Sequence, residues 1–147
     1  MKKFKFSLDI VLRYKQQVLE SVQAEHAAAL AEVRRQERLL EDLENRYQEY
    51  DQEYCQRKLE GLTIGDAMIY QNGLRALERE IHRETEVLQR LRKEEQRKRE
   101  RVVAAKQETS SLEKLREKKL AQYRKDEQKS EEQFIEEFVS STRSRSA

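Results

Sequence analysis

Proline is absent from the chain, and its three glycines all fall between Glu60 and Gly73. Glycine and proline are the residues that interrupt a helix, so a backbone that confines them to one short window can run helical on both sides of it and has one place to turn. Charged residues make up 41% of the sequence and the hydrophobic set 36%. That apolar share is thin for a globule with several packed elements, but it suffices for a narrow seam between two long helices rich in Ala, Glu, Lys, Leu, Arg and Gln. One elongated helical domain over residues 1–147 is the expectation.

The seam can be traced by stepping alternately by four and three residues. This gives Leu8, Leu12, Lys15, Leu19, Val22, His26, Ala29, Val33, Gln36, Leu40, Leu43, Tyr47, Tyr50, Tyr54 and Arg57, most of them apolar or aromatic. A sustained period near 3.5 residues predicts a coiled-coil face and excludes a strand. Ser7 is placed to cap this helix, Asp9 lies at the positive end of its dipole, and Phe6 is spaced to staple onto Val11. The first helix is therefore predicted over about 8–60, a span of roughly 75 Å.

Gly61 follows the last helical residues, where a residue with positive φ ends a helix most cheaply. Thr63 and Asp66 have capping-box spacing for a second helix that starts at about 64. A tip over about 61–65 is too short for anything but antiparallel neighbours, which predicts a two-helix antiparallel coiled-coil hairpin. Gly65 falls in the first turn of the second helix, where the backbones could approach. Gly73 lies deeper, at a cost of roughly 1 kcal/mol relative to alanine, so either the helix breaks near Asn72 or something packs closely there.

From Leu74 the seam resumes through Leu77, Ile81, Leu88 and Leu91, then fails across residues 92–101, RKEEQRKRER, which hold no apolar side chain. With the turn near Leu62, this run faces the small residues around His26, and long basic stems could cover that alanine surface. A second helix starting after Gly73 would instead set it against Arg34, Arg35 and Gln36. The second helix is predicted to about 138, past the start of the first. Its terminal Phe134, Ile135 and Phe138 then need a partner, and the polar tail 139–147 is expected to be disordered.

Residues 7–60 carry 8 basic and 12 acidic side chains and residues 74–106 carry 11 and 7, so the halves are electrostatically complementary. The formal net charge is only +2, and no overall field points to nucleic acid or an anionic membrane. Cys55 has no partner for a disulfide, the basic N-terminus lacks the apolar run of a secretory signal, and no apolar segment of spanning length occurs; a cytoplasmic protein is expected. His26 and His82 have no ligand set around them for zinc. Glu78, His82 and Glu86 read as a solvated helix face with favourable pairs. Nothing resembles a phosphate loop, a nucleophile with its base, or a concave site, so no enzyme, cofactor or small-molecule substrate is expected. The run 92–101 mixes acids with bases and lacks stacking aromatics, which disfavours nucleic acid. Tyr47, Tyr50 and Tyr54 lie on the seam and read as packing near the tip.

Three segments together resemble the flagellar export protein FliJ family. They are FKFSLDIVLRYKQQ at the start, GLTIGDAMIYQNGLRALEREI at the turn and LEKLREKKLAQYRKDEQKSEEQ towards the end. The resemblance implies an all-α antiparallel coiled-coil hairpin similar to the stalk subunit of rotary ATPases. It further implies a non-enzymatic role in flagellar type III export on the cytoplasmic face of the inner membrane, with three partners. These are the hexameric export ATPase, the cytoplasmic domain of the export-gate membrane protein, and export chaperones.

By the same resemblance, the gate-facing stripe aligns with Gly73, Leu77, Glu80 and Glu84, flanked by Tyr70, Leu74 and Ile81. Gly73 stands where the family has an apolar aromatic and Glu80 where it has a small residue. The ring-facing material implied is Phe4, Phe6, Leu8 and Leu12 with Leu115, Leu120 and Tyr123. The equivalent stalk of a virulence secretion system is an alternative. A chaperone-like scaffold working through Phe134, Ile135 and Phe138 is another.

Overall fold

The computed structural model describes residues 3–145, of which two helices take almost all: α1, Asp9–Glu60, and α2, Ile64–Arg145. The fold is all-α, with the two helices packed against each other as a hairpin. Gly61 carries φ 103°, the left-handed geometry that closes α1. Thr63 then opens α2: its Oγ1 accepts from the Asp66 N–H at 3.1 Å and its carbonyl from the Ala67 N–H at 3.0 Å.

At the start of α1 the Asp9 N–H donates to the Phe6 carbonyl at 3.1 Å and the Leu12 N–H to Leu8 at 2.8 Å. Phe6 is buried while Val11 is exposed, so the two do not make a covered staple. α2 continues through residues 139–145, where disorder was expected; residues 146 and 147 of that tail lie outside the described residues. Residues 139–145 hold no glycine or proline, Thr142 Oγ1 donates to the Phe138 carbonyl at 2.8 Å, and Arg143 and Arg145 suit the negative end of the dipole.

Packing divides into two units. One is Val22–Val102; the other joins the residues up to Ser21 with those from Val103 onward. In the Val22–Val102 unit, Val33, Leu40 and Leu88 form the buried core, with Ile81 and Leu91 against it. All the predicted seam positions of α1 except Leu8 and Arg57 are buried or half-buried. The register there is the one set by a turn near residue 62: His26 meets Glu95, Gln36 meets Glu84 and Tyr47 meets Glu78. In the other unit, Phe6, Leu12 and Ala105 are buried, and Lys15 bonds Glu108 at 2.7 Å.

Gly73 is where a large side chain packs closely, and α2 runs through it unbroken. A Cβ there would stand 2.6 Å from Cε1 and 2.7 Å from the hydroxyl of Tyr50. The approach considered at Gly65 does not occur, since a Cβ there would meet only Thr63 Oγ1, at 4.0 Å.

Candidate interaction surfaces

The tip is built from aromatics drawn from both helices. Tyr50 and Tyr70 lie 5.1 Å apart by ring centroids, and Tyr54 meets Tyr70 edge-on at 5.2 Å. Lys58 Nζ sits 3.8 Å over the Tyr54 ring, Tyr70 donates to Glu53 at 3.2 Å and Gln71 donates to the Tyr54 hydroxyl at 3.3 Å. Partial desolvation first, and the bond to Glu53 second, hold the Tyr70 phenol above its usual pKa. The hydroxyls of Tyr54 and Tyr70 are thereby satisfied beside packed rings at this end of the hairpin.

The gate-facing stripe expected on α2 is engaged with α1. Tyr70, Gly73, Leu74, Leu77, Glu80, Ile81 and Glu84 are all half-buried. Ile81 packs on the core, and Glu84 receives Gln36 Nε2 on its carbonyl at 3.0 Å and on its carboxylate. Beside Gly73 a groove of about 450 Å³ is lined by Arg46, Glu49, Tyr50, Glu53, Gly73 and Leu77.

The fully presented apolar groups lie closer to the turn. Leu59 is 90% exposed, Ile64 83%, Ile69 64% and Met68 56%. Periodicity did not reveal them, because they flank the turn and Met68 and Ile69 are adjacent in sequence.

The ring-facing residues come together in the terminal unit, but mostly as its own core. Phe4 and Tyr123 pair at 5.6 Å, and the Arg116 guanidinium lies 5.6 Å from the Phe4 ring centroid. Phe6 and Leu12 are buried, Phe4, Leu115, Leu120 and Tyr123 half-buried, and Leu8 exposed. A cleft of about 800 Å³ opens where Lys3, Lys5 and Lys119 surround Phe4 and Tyr123. The exposed apolar side chains at the start of α1 and just before it are Leu8, Ile10, Val11 and Tyr14, of which only Leu8 figured in the expected set.

Two buried polar groups interrupt the seam, Glu95 and Thr109. His26 Nε2 and Glu95 lie 2.8 Å apart, and Arg99 donates to the same carboxylate oxygen at 2.6 and 3.1 Å. The bond from His26, then those from Arg99, keep the Glu95 carboxyl below its ordinary pKa. The charged run thus turns a paired acid inward, where basic stems were expected over the alanines. Thr109 donates to the Lys15 carbonyl at 3.4 Å. His82 pairs with Glu86 on an exposed face at 3.4 Å. Among the described residues no group of His, Cys, Asp and Glu could hold a metal ion, and no helix is long and apolar enough to cross a membrane.

A family model for the flagellar FliJ protein matches residues 4–147. The chain belongs to the FliJ family. None of the curated proteins compared with it matches, and none of the solved structures does. Membership in the FliJ family implies a part in flagellar type III protein export, in which the family is a non-catalytic component.

Proposed function

We propose that this FliJ-family chain couples the hexameric export ATPase to the export gate, with different units serving the two partners. The observation that supports this reading best is the distribution of exposed apolar side chains. One set, Leu59, Ile64, Met68 and Ile69, flanks the turn; another, Leu8, Ile10, Val11 and Tyr14, lies at the start of α1 and just before it. Solvent-facing groups of this kind are expected at protein contacts.

In this reading the gate's cytoplasmic domain meets the turn-proximal set together with the exposed edges of Tyr70, Gly73, Leu74, Leu77, Glu80, Ile81 and Glu84. The ATPase ring meets the terminal unit, where Phe4, Phe6, Leu12, Leu115, Leu120 and Tyr123 shape the surface and Leu8 touches the partner. A rod in a ring has near-equivalent contacts with several subunits, which a sign-mixed polar surface with few deep anchors provides. Export chaperones are further partners in the same pathway, and the site of action is the cytoplasmic face of the inner membrane.

The test is ATP turnover by the matching purified export ATPase with and without the full chain, alongside binding of the purified gate domain. Stimulated turnover and gate binding are expected. Absence of binding to both, with turnover unchanged, overturns the reading.

A further inference from the structure

Every described residue from Gln128 to Arg145 is exposed, yet the segment is helical. Phe134 is 70% exposed, Phe138 65%, Ile135 59% and Val139 42%, within little more than one turn. Among the described residues, Phe4 meets α2 at Tyr123 and Asp9 meets it at Arg116, both before this segment. A helix without a tertiary partner is marginal in water at this length, and a contiguous apolar face of this kind calls for cover.

The charge pattern says what fits. Residues 116–125 hold five basic side chains and one acidic, and residues 126–137 hold six acidic and one basic. We propose that the segment 116–139 pairs antiparallel with the same segment of a second copy of this chain, about a two-fold axis between Glu127 and Gln128. In that alignment Arg124 faces Glu131 across the seam that Leu120, Ile135 and Phe138 define, while Asp126 lies level with Lys129, Lys119 with Glu136 and Lys118 with Glu137 on its flanks, so each basic block runs alongside the other copy's acidic block. Ile135 falls beside Leu120 and Phe134 beside Ala121. A two-fold interface repeats each pair, so the complementarity doubles. A parallel alignment would stack like charge on like along both blocks. The other concentrated basic stretch, residues 92–101, has no apolar side chain with which to cover the phenylalanines.

Leu120 is among the residues assigned above to the ring, so a self-paired chain and a ring-bound chain exclude one another. That consequence rests on the ring reading; self-pairing does not.

Sedimentation of the purified full chain at a series of concentrations tests the proposal. A monomer–dimer equilibrium is expected, weakened by salt because its charge pairs are exposed. Joint Phe134→Ala and Phe138→Ala substitution should weaken it at least about tenfold. Glu131→Lys should weaken it at least about tenfold, as should Arg124→Glu, and mixing those two variants should restore a heterodimer. Spin labels at Gln128→Cys, in a Cys55→Ser background, should lie close together in the dimer. All these residues are exposed, and helix content by circular dichroism checks that each variant folds. A chain that stays monomeric throughout overturns the proposal, even if it then binds the export ATPase through Phe134 and Phe138. So does a dimer indifferent to those two residues, or one whose labels at position 128 lie far apart.

Discussion

The ring of Tyr50 on α1 occupies the space that any side chain at position 73 of α2 would need, with its Cε1 2.6 Å from where a Cβ would stand. The glycine's low helix propensity is therefore offset by an aromatic contact across the hairpin. In an unconstrained helix, glycine to alanine gains roughly 1 kcal/mol; here the added methyl displaces a ring packed at a tilt on Tyr70. Gly73→Ala is expected to be less favourable by at least about 1 kcal/mol with Tyr50 present than in a Tyr50→Ala background, where it stabilises. Urea unfolding of the four chains in the cycle measures the coupling.

Glu95 gives the seam a pH dependence of definite sign. Its carboxyl titrates below the ordinary glutamate value of 4.5 because His26 and Arg99 bond the charged form. The stabilisation is fully present above pH 4.5 and is lost as pH falls through the lower folded value. Glu95→Ala should cost about 1–3 kcal/mol near neutrality, since it leaves His26 part-buried without that partner. Melting curves from pH 7 downward should show the gap between wild type and variant closing in acid.

Leu8 and Leu12 separate surface from core within one turn at the start of α1. Leu12 is 5% exposed, and Leu12→Ala should cost about 2–4 kcal/mol. Leu8→Ala should stay within about 1 kcal/mol of wild type, because its side chain already meets water. On the proposed function, Leu8→Ala also reduces stimulation of the export ATPase while thermal unfolding is almost unchanged.

The turn-proximal apolar set makes a parallel prediction for the gate. Replacing Leu59, Ile64 and Ile69 together by serine or glutamine should leave stability nearly untouched, since all three are mostly exposed. Binding of the purified gate domain should fall at least about tenfold, measured by calorimetry.

The hairpin was legible because its signals are periodic or local. Val33, Leu40 and Leu43 repeat at coiled-coil spacing and are buried. Gly61 and Thr63 announce a turn by chemistry that only a few residues supply. Gly73 announced a constraint without its solution, since a break and a close contact leave the same mark in the sequence. Glu95 was invisible: it lies in a run where acids and bases alternate with no apolar reference, and its burial depends on His26 across the hairpin. The exposed groups at Leu59 and Ile64 were hidden for a related reason. Apolar residues beside a turn carry no phase, and which way they face is decided by the geometry of the turn itself.

Among interchangeable leucines, His26 and Glu95 act as a key that fits one position. Sliding one helix past the other by a heptad would strand the carboxylate against aliphatic neighbours. Glu95 altered alone leaves His26 without that partner, and His26 altered alone leaves the carboxylate to Arg99, so across related sequences these positions should drift together, while the charged exterior around them diverges freely.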